Sequence, residues 1–317
     1  MNPVTAAVVQ ASPVLFDLEK TVEKACDLIR SARAADLILL PEAFIPAYPR
    51  GFGFGMRVGF RTDPGRRLWQ KYADNALDLS GPHMAQLSQA AKDAKAVVCV
   101  GVIEKGASPS LYCTSLYFGP DGTYLGKHRK LKPTGAERLI WAEGDGSTLP
   151  VFPTDIGKIG GLICWENYMP LARMALYGQG VEFYLAPTAD SREAWQASLK
   201  HIALEGRCFV LGCNQYVEKA HYPEGLPMEE ELSDQPDTMC RGGSVILSPM
   251  GEVLAGPLWD GEGTLYAELD RDELTRAKLD FDVVGHYARP DVFQLKVNTA
   301  PRATVDFSPH PKVSKEE

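Results

Sequence analysis

Apolar positions along the chain fall into short runs and helical stripes that alternate with one another. Residues 6–10 and 37–40 are apolar runs, the second closing on Pro41. Between them Leu18, Val22, Ala25, Ile29 and Ala32 recur every three or four positions, and Glu19, Lys20, Glu23, Lys24, Asp27 and Arg30 fill the gaps. That spacing predicts an amphipathic helix between two strands. A further helix is predicted around Met84, Leu87, Ala91 and Ala94, leading into a buried strand over 96–103. Residues 112–118 and 123–127 flank Gly119-Pro120-Asp121-Gly122, which is turn chemistry and predicts a hairpin. More strands are predicted over 159–164, 181–186, 208–215, 244–247 and 264–269, and a helix over 169–177. Asp190-Ser191-Arg192-Glu193 opens a helix running to about Gly206, with Asp190 or Ser191 as its cap.

This alternation describes an α/β layered domain. It occupies residues 1–299, and the polar, Pro-punctuated stretch 300–317 reads as a tail. Residues 218–237 form an acidic loop centred on Glu229-Glu230-Glu231. A charge run of this kind is read first as solvated surface, the alternative being the rim of a pocket or a subunit contact.

A hydrophobic fraction of 45% over 317 residues supports a sizeable core. Lys+Arg 33 against Asp+Glu 41 gives a net charge of −8, without the basic field of a nucleic-acid binder. No eighteen apolar residues follow one another, and no basic segment precedes the first apolar run. Neither a membrane span nor a secretory signal is expected. The 7 cysteines are odd in number and scattered, which fits reduced thiols in the cytoplasm. With no C-x-x-C pair and no histidines at helical ligand spacing, no metal is expected.

Three segments place a reactive side chain where a strand ends. Glu42 follows the run 37–40, and a carboxylate against apolar surroundings needs a partner or a task. Read alone, it is equally a loop carboxylate bonded to backbone. In Lys127-His128-Arg129-Lys130, strand alternation puts His128 and Lys130 on one face and Arg129 on the other. Such a cluster is most often surface charge. Cys164 lies where a buried strand meets a helix, and free backbone N–H groups there favour an anion. A single buried cysteine is otherwise inert packing. Gly51-Phe52-Gly53-Phe54-Gly55 begins like a dinucleotide fingerprint, but Met56 stands where its last glycine belongs. Neither a G-x-S-x-G elbow nor a Walker loop occurs.

Together the three segments resemble the nitrilase superfamily of carbon–nitrogen hydrolases. The matching stretches run from Leu40 to Pro49, from His128 to Thr134 and from Cys164 to Arg173. Glu137-Arg138-Leu139-Ile140-Trp141, Gly144-Asp145-Gly146 and Gly285-His286-Tyr287 add to the likeness, which spans roughly residues 4–295. The Trp165-Glu166-Asn167 that follows the cysteine is similar to the true nitrilase branch rather than to amidases and carbamoylases. The resemblance implies a four-layer αββα sandwich, and dimers joined through the helical layers that grow into spirals. It implies a catalytic Glu42, Lys130 and Cys164, with Glu137 as a further active-site glutamate and the Trp165 amide as an anion donor. A nitrile is then the small-molecule substrate and no cofactor is called for. An amidase, an N-carbamoyl hydrolase or a cyanide-degrading enzyme would use the same residues, and a self-assembling scaffold would keep a dead site. Tyr48 and Trp165 flank the reactive residues and either line an apolar pocket or pack ordinarily. Thr188 and Trp195 are weaker candidates, and His286 reads as structural.

If the cluster assembles, a thiolate and two carboxylates would face one ammonium. Like charges ~4 Å apart repel by about 4 kcal/mol at an effective dielectric of ~20. One proton is therefore retained, and a resting thiol bonded to Glu42 is expected.

Overall fold

Residues 3–303 and 305 are described by the computed structural model, so most of the tail assigned to 300–317 lies outside the described residues. In chain order the elements are β1 (Val4–Gln10), α1 (Leu18–Ser31), β2 (Leu37–Leu39), β3 (Met56–Arg57), β4 (Phe60–Arg61), α2 (Asp63–Asp74) and α3 (His83–Ala94). There follow β5 (Val97–Lys105), β6 (Leu111–Phe118), β7 (Tyr124–Arg129), β8 (Val151–Thr154), β9 (Gly157–Gly161), α4 (Pro170–Gly178), β10 (Phe183–Thr188) and α5 (Glu193–Gly206). The last are β11 (Phe209–Asn214), β12 (Tyr216–Glu218), β13 (Thr238–Leu247), β14 (Val253–Trp259), β15 (Gly263–Leu269) and α6 (Asp272–Ala277).

One sheet has the order β15-β1-β2-β5-β6-β7, and a second runs β12-β13-β11-β10-β9-β8 with β14 also paired to β13. Period-2 alternation divides the buried side chains of β1 between two cores. Val4, Ala6 and Val8 face the second sheet, where they meet Phe183, Leu185, Phe209 and Leu211. Ala7 and Val9 face α1 and α3, against Val22, Ile29 and Leu87. On the far side Tyr184, Ala186 and Val210 pack under Leu176 of α4 and Trp195 and Leu199 of α5. Helix, sheet, sheet, helix: the four expected layers are present. Because both faces of each sheet are covered, the central strands read as continuous apolar runs.

Most predicted elements appear within two residues of their expected limits, and the departures have local causes. The strand expected over 159–164 stops at Gly161, because the chain then turns and the Ile163 amide donates to the Glu166 carboxylate at 2.7 Å. Helix α5 starts at Glu193 behind Arg192 and has no side-chain cap. Asp190, expected to cap it, instead accepts from the Trp165 indole at 2.9 Å and from Arg192. Helix α2 went unpredicted because it opens with Asp63-Pro64-Gly65; Pro64 is tolerated there, where an N–H would have no partner. The acidic loop is not simply solvated. Its Glu231 accepts from the Gly53 amide at 2.7 Å, and Leu226 and Leu232 join an apolar cluster, while Glu229 and Glu230 stay exposed.

The segment after β2 zips along β5, with the Leu40 amide on Cys99 O at 2.9 Å and the Ile45 amide on Gly101 O at 3.1 Å. This close approach needs a glycine. A Cβ on Gly101 would lie 2.1 Å from Pro41 O and 2.8 Å from the Glu42 Cα. Gly101→Ala is expected to displace residues 41–43 and to lower unfolding free energy by about 1–3 kcal/mol, read from urea denaturation.

Candidate active site

Glu42, Lys130, Cys164 and Thr188 all sit at, or directly after, the C-terminal ends of strands running in one direction. β2 is parallel to β5, β9 is parallel to β10, and the β5-β6-β7 meander returns β7 to the direction of β5. The ends of the two sheets thereby converge on one buried chamber, bounded by an apolar cluster that includes Ala43, Trp141, Ile163 and Cys164.

Lys130 is the centre of this chamber. Its amide is anchored on Cys113 O at 2.8 Å, and its Nζ lies 2.7 Å from Glu42 Oε1 and 2.7 Å from Glu137 Oε2. The ammonium also stands 5.7 Å from the centre of the Trp141 ring. Burial alone would discharge this lysine, but the charges of Glu42, Cys164, Cys113 and Glu137 outweigh it and hold its pKa well above the ordinary value. Glu137 is fixed twice more, by the Thr134 amide at 2.6 Å and by the Tyr48 hydroxyl at 2.8 Å.

Glu42 is fully buried, and Gln215 Nε2 donates to its backbone carbonyl at 2.6 Å. Among the described residues its Oε2 has no hydrogen-bond partner, which leaves a lone pair to receive a proton. Burial pushes the Glu42 pKa up, against the pull of Lys130 and of the neighbouring Cys164 thiol. Cys164 itself is pushed up to about 12 by burial and by Glu42, with Lys130 and Thr188 acting the other way. These directions favour a thiol at rest. Cys113 was not anticipated from sequence; its Sγ lies 3.6 Å from Glu42 Oε1.

Cys164 has φ of 53°, a left-handed conformation at which only a glycine is unstrained, and it opens a 3-10 turn over Cys164–Tyr168. Asn167 holds this turn, donating to Leu162 O at 3.0 Å and Cys164 O at 2.8 Å. Glu166 ties the turn to the lysine strand. It accepts from the Ile163 amide at 2.7 Å, from the Leu131 amide at 2.6 Å and from His128 Nε2 at 2.9 Å. One carboxylate thus binds the backbone neighbours of both Cys164 and Lys130. Glu166 stood inside a quoted motif, but only the fold reveals that its partners come from a strand more than thirty positions earlier.

A chamber of 220 Å³ reaches Tyr48 and Glu137, walled by Phe52, Phe54, Ile140 and Trp141. Tyr48 thus reaches the cluster, through Glu137. The Trp165 ring does not line this chamber; it is 40% exposed, bonded to Asp190 and covered by Arg192. Its backbone amide remains in the first turn after Cys164, where amides lack intrahelical partners. Thr188 joins the cluster, with Oγ1 3.2 Å from Cys164 Sγ. Trp195 is core packing in α5, and His286 is exposed beside Tyr287. Residues 51–54 of the glycine-rich stretch form part of the chamber wall. A larger cavity of 890 Å³ lies beyond Phe54, Ile140 and Trp141 and is lined by none of the clustered ionisable residues. Among the described residues no group of His, Cys, Asp and Glu side chains is placed to hold a metal, and no helix is long and apolar enough to cross a membrane.

A four-layer sandwich whose strand ends surround a thiol, two carboxylates and an ammonium has the makings of a covalent hydrolase. The sequence matches the carbon-nitrogen hydrolase family over residues 5–279, and the chain belongs to that family of enzymes acting on carbon–nitrogen bonds. It is 52% identical to an aliphatic nitrilase of Sinorhizobium fredii, covering 96% of this chain and 99% of the relative. It is also 52% identical to a bifunctional nitrilase/nitrile hydratase of Lupinus angustifolius, over 96% of this chain and 89% of the relative. The fold is shared with Nit3 of Saccharomyces cerevisiae, a member of branch 10 of the nitrilase superfamily, at a TM-score of 0.69 and 20% identity, covering 90% and 97% of the two chains.

The His128–Glu166 pair makes a pH prediction. Burial disfavours the imidazolium, but the Glu166 charge and hydrogen bond outweigh this and raise the His128 pKa above its usual 6.5. A raised folded pKa contributes stability that is fully present below the unfolded value and is lost as pH rises through the folded one. The stability gap between wild type and His128→Gln should therefore be widest in mild acid and narrow on the alkaline side, as measured by urea unfolding across pH.

Proposed function

We propose that this enzyme hydrolyses nitriles to carboxylic acids and ammonia, with Cys164 as nucleophile, Glu42 as general base and acid, and Lys130 and Glu137 as its electrostatic frame. The observation that carries the reading is the single buried cluster in which Lys130 Nζ lies 2.7 Å from both carboxylates while Cys164 is held on a strained turn beside them. The relatives named as nitrilases, at about half identity over nearly the whole chain, favour nitriles over amides.

As the nitrile carbon meets the sulfur, Glu42 takes the thiol proton on Oε2 and a carbon–sulfur bond forms. Glu42 passes this proton on to the nitrile nitrogen, which completes a thioimidate and restores the carboxylate. Lys130 and the Trp165 amide offset the charge that develops on the substrate. A water, deprotonated by Glu42, adds to the thioimidate carbon and gives a tetrahedral intermediate. Expulsion of ammonia leaves a thioester; a second water releases the acid and restores the thiol. The balance is one nitrile and two waters to one acid and one ammonia. Expulsion of the thiol from the tetrahedral intermediate would instead release the amide, a branch that the bifunctional relative's name makes worth measuring.

The reading extends to assembly and compartment. Tyr168, Met169 and Leu171, at and before the start of α4, are exposed together with Leu204 on α5, Leu171 by 67%. Such a patch on the helical layer suits a homodimer and a longer spiral built on it. All 7 cysteines are free and buried, which suits the reducing cytoplasm.

Cys164→Ala should stay folded by circular dichroism and lose ammonia release by roughly 10⁴-fold or more, while Glu42→Gln should lose about 10²–10⁴-fold. Matched nitriles and amides, with acid, amide and ammonia all quantified, test the substrate class. Turnover of the amides alone would make the enzyme an amidase. Leu171→Asp should shift the protein toward monomer in analytical ultracentrifugation, and an unchanged distribution would remove this face from the assembly.

A further inference from the structure

The geometry points to Thr188 as a catalytic hydrogen-bond donor that holds the Cys164 sulfur as it becomes an anion. This rests on the reading of Cys164 as the nucleophile and adds a residue to it.

Thr188 is the last residue of β10, is 1% exposed, and abuts the Cys164 turn because β10 runs parallel to β9. A hydroxyl has one proton to give and lone pairs to receive with. One lone pair here receives the Asp190 amide, which donates to Thr188 Oγ1 at 3.0 Å. The remaining proton is directed at Cys164 Sγ, 3.2 Å away. The groups beyond Thr188 hold this direction. Asn214 Nδ2 donates to Asp190 O at 2.9 Å and to Gly242 O at 2.8 Å. The Asp190 carboxylate accepts from Trp165 Nε1 at 2.9 Å and Arg192 Nε at 2.9 Å. Both the loop that carries the Asp190 amide and the turn that carries the sulfur are therefore pinned.

Donation runs from the Asp190 amide to the Thr188 hydroxyl and from that hydroxyl to the sulfur. When the S–H bond breaks and an O–H bond forms on Glu42, Thr188 keeps its own proton and now donates to a full negative charge. A charge-assisted bond is roughly twice as strong as a neutral one. The interaction thus grows between resting thiol and thiolate, which is the condition for acceleration rather than mere binding. Around a sulfur faced by Glu42 and Glu137, with Lys130 as the near cation and Tyr48, Arg50 and Arg192 further out, a neutral donor lowers the cost of a third negative charge without adding to the net charge.

The test compares wild type, Thr188→Val, Thr188→Ala and Thr188→Ser. Alkylation of the folded proteins by iodoacetamide is followed between about pH 6 and about pH 10, the labelled cysteine is located by mass spectrometry, and ammonia release from a nitrile is measured in parallel. Val and Ala should slow Cys164 alkylation by about 10-fold at each pH below the thiol midpoint and lower kcat by about 10- to 100-fold, with KM little changed. Ser should restore both. Wild-type alkylation rates in Val and Ala, with only melting temperature or KM altered, would overturn the role. So would unfolding of both alongside a native Ser variant, which would make the hydroxyl structural. If wild type is labelled elsewhere than Cys164, it is the nucleophile assignment that fails.

Discussion

An ammonium removed from water costs several kcal/mol unless carboxylates surround it, and Lys130, with no exposed side-chain area, has two of them at 2.7 Å. The rest of the site follows from satisfying that one cation. Glu42 and Glu137 reach it from separate stretches of the chain, and burial together with their charges pushes the Cys164 thiol up. Replacing the trio by well-packed hydrophobic residues would cost the fold little or nothing. Stability alone therefore does not account for this cluster.

The two sheets supply the convergence. Strands of like direction in each sheet end at the same edge of the sandwich, so side chains just beyond β2, β7 and β9 meet there without any long loop. Backbone glue then fixes the distances. Gly101 lets the Glu42 segment lie against β5, Asn167 sets the Cys164 turn, and Glu166 bonds amides adjacent to both Lys130 and Cys164. Glu166 is thus to the backbone what Lys130 is to the side chains. The outer wall is assembled from more distant stretches. The glycine-rich loop at 51–55 carries Phe52 and Phe54 into the chamber, and Glu231 from the acidic loop holds the Gly53 amide.

Much of this was legible in the amino-acid order. Helical stripes and apolar runs gave the layers, because an element that must bury one or both faces writes its period into the chain. Glu42 and Cys164 stood out because each follows an apolar run, and Lys130 because strand alternation sets it with His128 on one face of a basic strand end. The roles of Asp190, Glu231 and Trp165 were not legible. A residue at a helix start looks like a cap, and nothing local shows that the Asp190 carboxylate takes an indole and a guanidinium besides the Arg192 amide. A run of glutamates looks solvated whichever member turns inward.

By itself, then, the sequence determined most stretches of strand and helix and the likeness that names the family, and it singled out the candidate side chains, since all of these are written in local order and composition. The tertiary structure alone decided distance and partner. It set Lys130 midway between two carboxylates, left Glu42 Oε2 unbonded among the described residues, and aimed the Thr188 hydroxyl at the sulfur. Those relations join residues far apart in the chain, and a hydrogen bond a few tenths of an ångström long or short is set by packing, which no local pattern records.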